Sequence, residues 1–244
     1  MTDAATLLGL SGSWGEPGAD LVAALRAALL ADEPGTAPVA PIGDLVPALI
    51  AAVPQALSRH VRLGLPADVS RATLSDIGRK VSAYGAATDG PWLLALLRAD
   101  VVALGRLQFA RVSDGGAHAV HVPKSGPLAP ASVDHSLDRA ARELGATAFT
   151  CESWLLDPLL PVGLPRESNI VRFAARFAVP GVVRAEGPEA VPADHAVARF
   201  VFRRPLEEVL APALVIPATR LERLVAAHLR AGGHWMEPVG ALER

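Results

Sequence analysis

Apolar residues recur at helical steps through the first hundred positions. Leu21, Leu25 and Leu29 stand four apart, with Asp20 able to cap the run and Pro34-Gly35 able to stop it. Between Gly35 and Pro66, prolines 38, 41, 47, 54 and 66 punctuate an Ala-, Leu- and Val-rich stretch, so only a short helix around Leu45 to Ser58 is expected there. Leu74, Ile77, Val81 and Tyr84 then recur at three- and four-residue steps ahead of Gly85, a left-handed terminator. Pro91 suits a first helical position before Trp92, Leu93, Leu96, Leu97 and Val101, a wide apolar face suited to a buried helix. The pattern predicts an all-helical first hundred residues.

From Leu104 the period shortens. Leu107, Phe109 and Ala110 to Val112 have strand character, and Ser113-Asp-Gly-Gly reads as a turn before a strand at His118 to Val122. Val133, Leu137, Ala140, Ala141 and Leu144 form an apolar stripe between Pro130, suited to a helix start, and Gly145, suited to a helix end. Ala146 to Trp154, Ile170 to Val179 and Ala196 to Arg203 read as further strands. Leu221, Leu224, Val225, His228 and Leu229 mark a closing helix that stops at Gly232-Gly233. The expected division is a helical domain over 1–103 and a mixed α/β domain over 104–244.

Composition narrows the classes. The 244 residues are 51% hydrophobic, enough for one large core or two smaller ones. A formal charge of -2, with no run of Lys or Arg, offers nothing general to a phosphate backbone or an anionic bilayer, so neither nucleic acid nor membrane is an expected partner. Met1 to Gly15 lacks a basic segment ahead of its short apolar run, and no apolar stretch approaches the ~20 residues that span a bilayer. A cytoplasmic location is expected. A single cysteine, Cys151, excludes an internal disulfide and a thiolate zinc site. The seven histidines include no HExxH pair, so no metal is expected.

Two stretches carry candidate chemistry. "AVHVPKSGPLAPASVDHSLDRAARELG" runs from strand through a small-residue turn into a helix. That order gathers backbone N–H groups at the positive end of a helix dipole, where a phosphate or pyrophosphate is stabilised. Lys124, Ser125 and Gly126 would line the turn. Pro127 removes one donor, and Ala129 in the capping position has no side-chain acceptor. An ordinary strand-to-helix connection is the alternative. "FTCESWLLDPLL" places Cys151, Glu152, Ser153 and Asp157 around a strand end. Cys151 as a nucleophile would need His121 or His135 as a base; as a core residue it needs neither. Trp154 and Trp235 each read as pocket wall or core.

The phrases "RATLSDIGR", "LGRLQFARV", "HVPKSGPL", "FTCESWLLDPLL", "SNIVRFAARF" and "HLRAGGHW", in this order, resemble a bacterial family of acyltransferase-domain proteins. That family joins a helical N-acyltransferase N-terminal domain to a GNAT-like C-terminal domain. The resemblance implies an α+β fold with a central, mostly antiparallel sheet, and acyl-CoA or acetyl-CoA as co-substrate, bound where two strands splay apart. It also implies direct attack by a small amine or amino-acid-like acceptor. The pyrophosphate seat would be the small-residue turn between that strand and helix, lined by Val122, Lys124, Ser125, Gly126 and Leu128. Glu152 and His121 rank first as the base, with His234 third; Cys151, His121 or Asp157, or bulk water, would replace the tyrosine that usually serves as the acid. The sequence departs from the family pattern in having "KSGPLA" in place of Q/R-x-x-G-x-G/A, and in keeping its one tyrosine, Tyr84, on a helical stripe of the first domain. Those departures leave a second reading open, a catalytically degenerate binding or scaffold protein.

Overall fold

The computed structural model describes residues 3–31, 38, 40–181 and 191–244, which form two compact units, Met1–Val112 and Ser113–Arg244. Pro34-Gly35 lies outside the described residues.

In the first unit, α1 (Ala4–Leu7), α2 (Ala19–Leu30), α3 (Ile42–Arg62), α4 (Ala67–Tyr84) and α5 (Gly90–Arg98) enclose Leu25, Leu29, Leu49, Leu74, Ile77, Leu93 and Leu97. Asp20 sits in the first turn of α2, where its charge favours the dipole, while Gly18 takes the capping position. The short helix expected at Leu45 to Ser58 runs the full length of α3, through Pro47 and Pro54. Each proline removes an intrahelical bond, and burial of Leu45, Leu49, Ala52, Val53 and Ala56 outweighs the loss. Two buried arginines terminate α2. Arg59 donates from Nη1 to the Leu29 and Ala31 carbonyls (3.1 and 2.9 Å), and Arg98 donates to the Ala28 and Ala31 carbonyls while pairing with Asp100 at 2.7 Å. These carbonyls have no helical partner of their own, so the guanidinium forks complete them. Gly78 of α4 donates its N–H to the Leu8 carbonyl at 2.7 Å, and a Cβ there would stand 2.1 Å from the Gly9 oxygen; only glycine permits that approach.

Val101, assigned by its spacing to the helical face, instead opens β1 (Val101–Leu104), because α5 stops at Arg98 with Ala99 in the left-handed region. β1 pairs antiparallel with β2 (Leu107–Ala110) and packs on α4 and α5.

The second unit begins with the turn read from Ser113-Asp-Gly-Gly, closed by reciprocal backbone bonds between Asp114 and Ala117. β3 (His118–His121) leads into α6 (Pro130–Leu144), which has the boundaries its stripe predicts: Pro130 near the start, Ala129 without a side-chain cap, and Gly145 left-handed at the end with φ 66°. β4 (Ala148–Glu152) returns parallel to β3, and β5 (Val239–Glu243) pairs antiparallel with β4. The β1–β2 and β4–β5 pairings are antiparallel, and the β3–β4 pairing is parallel. The class is α+β, helical first and mixed afterwards.

Two expected strands are helical. The run at Ile170 to Val179 forms α8 (Asn169–Ala174), started by Ser168, whose Oγ accepts from the Val171 N–H, and only Ala178 bridges a strand, at Ala241. The run at Ala196 to Arg203 falls in α9 (Val191–Val197) and a π-helical turn at Ala198–Phe202. Together with α7 (Leu160–Gly163), α10 (Leu206–Leu210) and α11 (Arg220–Arg230), they bury a second core around Leu160, Val197, Val209, Val225 and Trp235. α11 starts on a complete capping box, Thr219 with Glu222.

Candidate active site

The pairing of β3 with β4 covers His118 with Phe149 and Ala119 with Thr150, and goes no further. Beyond it the two strands continue to His121 and Glu152 without pairing to each other. A cavity of about 280 Å³ opens there, lined by Ala119, Val120, His121, Thr150, Glu152, Glu237 and Val239.

Strand alternation decides which candidates face it. Thr150 and Glu152 share one face of β4, while Phe149 and Cys151 point to the buried face. Cys151 is 1% exposed, and burial, followed by the Glu152 charge, pushes its thiol up to about 12. It carries no thiolate near neutral pH and lines no part of the cavity. His121 and Glu152 are the sequence-derived candidates that the fold brings together.

Sequence reasoning missed the third titratable group of the cavity, Glu237. It arrives from the far side of β4: β5 pairs with β4 so that Val239 lies opposite Glu152, and Glu237 enters the wall two residues earlier. Its carboxyl is half-buried, and burial, then the Glu152 charge, raises its pKa from the ordinary carboxylate value. The legible sign was its position in "GGHWMEPVG", directly after a stretch already singled out.

Two buried carboxylates fix the approach to Glu237. Asp194, 4% exposed, accepts the Trp235 N–H at 2.7 Å on one oxygen and meets His234 Nδ1 at 2.8 Å with the other. Asp157, 1% exposed, accepts the Leu159 N–H at 2.8 Å and the Met236 N–H at 2.9 Å. Trp235 is buried and donates its indole N–H to the Trp154 carbonyl at 3.3 Å, which makes it core rather than pocket wall. Asp157 is thus engaged by backbone, and His234 by Asp194; neither lines the cavity.

The loop between β3 and α6 carries the remaining candidates. Lys124 donates from Nζ to the Phe200 carbonyl at 3.0 Å; partial burial, then the Arg203 charge, lowers its pKa. Ser125 and Gly126 are exposed, Val122 is half-buried, and Leu128 is buried beneath the loop. The α6 N-terminus beyond them has no side-chain cap, so a neighbouring cation and an uncapped 15-residue helix converge on one loop. That donor set suits an anionic phosphate group. Among the described residues, no group of three or more His, Cys, Asp or Glu is arranged for a metal ion, and no helix is long and apolar enough to cross a membrane.

A family model of the GNAT-like C-terminal domain matches residues 101–242, and one of the N-acyltransferase N-terminal domain matches residues 16–95. The chain belongs to this family. No curated protein matches the chain. Among solved structures of acyltransferases, one in complex with decanoyl-CoA and teicoplanin aligns at a TM-score of 0.74 with 29% identity, over 91% of this chain and 76% of that one. Another, in complex with decanoyl-CoA, aligns at 0.70 with 31% identity, over 92% and 74%. A third, in complex with CoA and 10C-teicoplanin, aligns at 0.68 with 32% identity, over 81% of this chain. In that last alignment the chain spans 65% of the other protein's length, just under two thirds.

Proposed function

We propose that this member of the family transfers an acyl group from acyl-CoA to the amine of a small-molecule acceptor, by direct attack of the nitrogen on the thioester, in the cavity where β3 and β4 part. One observation carries the reading: the parallel strands stop pairing at Ala119 and Thr150, and beyond that point His121, Glu152 and Glu237 surround a single cavity. An extended pantetheine arm would run between the strand ends, its amides meeting backbone groups of the two strands.

The phosphate end of the co-substrate would lie on the loop from Val122 to Leu128. Lys124, Ser125 and Gly126 face solvent there, and the uncapped α6 N-terminus adds its positive dipole end. Acyl-CoA supplies the activated carbonyl. This chain's residues would hold the phosphates, align the thioester, and accept the proton that the nitrogen loses, with Glu152 or His121 as base. The solved relatives hold CoA or acyl-CoA, two of them with a glycopeptide, and this supports an acceptor that is itself a bulky small molecule bearing an amine.

The test is calorimetry with CoA and decanoyl-CoA, followed by mass spectrometry of amine acceptors after incubation with acyl-CoA and the protein. Saturable binding and an acceptor heavier by one acyl group are expected. Binding without turnover across a broad amine panel would favour the scaffold reading, and no binding at millimolar CoA would remove the co-substrate altogether.

A further inference from the structure

We propose that Glu237 is the general acid of the transfer, delivering a proton to the departing thiolate while Glu152 or His121 takes one from the attacking nitrogen. The inference rests on the acyl-CoA reading above and adds to it a residue with a distinct task. An alkyl thiol is at least as weak an acid as the cysteine side chain, whose ordinary pKa is about 8.5, so its thiolate leaves faster when a neighbouring acid protonates the sulfur. The described cavity lining holds three titratable side chains, His121 from β3, Glu152 from the end of β4, and Glu237 from the segment before β5. Cys151 faces the opposite side of β4, and Asp157 is engaged by backbone N–H groups.

The two carboxyl groups have different surroundings. Glu152 is exposed at the strand end, whereas Glu237 is half-buried, with Trp235 and Met236 before it tied to Asp194 and Asp157 and Pro238 buried after it. Two carboxylates facing one cavity do not both ionise readily, and the less solvated member is the one that holds its proton to higher pH. The direction of the shift at Glu237, upward from burial and from Glu152, agrees with that placement.

The step balances without a further reactant. The nitrogen lone pair forms the C–N bond as the C–S bond breaks and its electron pair passes to sulfur. The nitrogen's proton goes to the Glu152 carboxylate or to His121, and sulfur takes the Glu237 proton. Amide and free thiol leave, and passage of the proton from the base to Glu237 restores the starting state.

The experiment compares wild type with Glu237→Gln on two donors carrying the same acyl group, one on CoA and one on thiophenol, a leaving group that needs little protonation. With acyl-CoA, kcat should fall roughly a hundredfold. With the thiophenyl ester the two proteins should differ by less than about threefold, whereas with acyl-CoA the variant should also lose the basic limb of its kcat profile. An equal loss on both donors would assign Glu237 a structural task, and no loss on acyl-CoA would overturn the proposal outright. A carbon-13 NMR titration of the glutamate carboxyls reads the same group without turnover. Glu237 should titrate above the exposed glutamates and move down in Glu152→Gln, and an ordinary titration would overturn the proposal. Wild type inactive with every donor would instead refute the transferase reading.

Discussion

Removing the Asp194 carboxylate offers a quantitative check on how the cavity wall is held. Asp194→Ala deletes two hydrogen bonds to one buried carboxylate, from the Trp235 N–H at 2.7 Å and with His234 Nδ1 at 2.8 Å. Hydrogen bonds to charged groups contribute about 1.5–3 kcal/mol each, and the buried Trp235 N–H would be left with no acceptor. The expected loss is about 3–5 kcal/mol of unfolding free energy. Asp194→Asn keeps an acceptor for the Trp235 N–H, so its loss should stay near 1–2 kcal/mol. Trp154 and Trp235, two of the four tryptophans, lie in contact here, so urea unfolding followed by tryptophan fluorescence carries a signal from this region. Glu237 follows two residues after Trp235, and under folding conditions its displacement should lower kcat roughly tenfold to a hundredfold, with KM for acyl-CoA little changed. A loss below about 1 kcal/mol in the alanine variant, or equal losses in alanine and asparagine, would show that Asp194 does not hold this wall.

Two further outcomes follow from the same geometry. Cys151, with its thiol pushed up to about 12, should resist iodoacetamide at pH 8 in the folded protein and react once urea unfolds it; Cys151→Ala should keep its transfer activity. An acylated Cys151 in the mass spectrum, or rapid native alkylation, would contradict this. Glu237 has a folded pKa above its unfolded value, so its stabilising contribution is fully present below the ordinary carboxylate range and is lost as pH rises through the folded value. The stability of Glu237→Gln relative to wild type should therefore increase from pH 4 to pH 8, and parallel stability curves would exclude the shift.

Local pattern and tertiary context divide the fold between them. α6 has the boundaries its stripe and its flanking Pro130 and Gly145 predict, because a long amphipathic helix with both end signals is settled by near neighbours. The runs "IVRFAAR" and "AVARFVF" carry β-branched and aromatic residues, yet they coil into α8, α9 and the π-turn, since Val171, Phe173 and Val197 are buried by helical packing. The Ser168 cap was a readable warning against a strand there. β5 has Gly240 and Ala241 at its centre and little strand propensity of its own; its partner β4 makes it a strand.

The site divides in the same way. His121 and Glu152 were legible because both lie on strands flanking one helix, in the order that brings parallel strand ends together. Glu237 reaches them only through the register of β5 on β4, a pairing across some ninety residues of sequence that no local pattern encodes. The anchoring roles of Asp157 and Asp194 were hidden for the same reason, because their partners are backbone N–H groups of a distant segment.

Hydrogen–deuterium exchange with and without decanoyl-CoA tests most directly whether the co-substrate lies between β3 and β4. Bound acyl-CoA should slow exchange in the segment from His118 through the first turn of α6, and in β4 from Ala148 to Glu152. Saturable binding with unchanged exchange in both segments, and protection elsewhere, would contradict that placement.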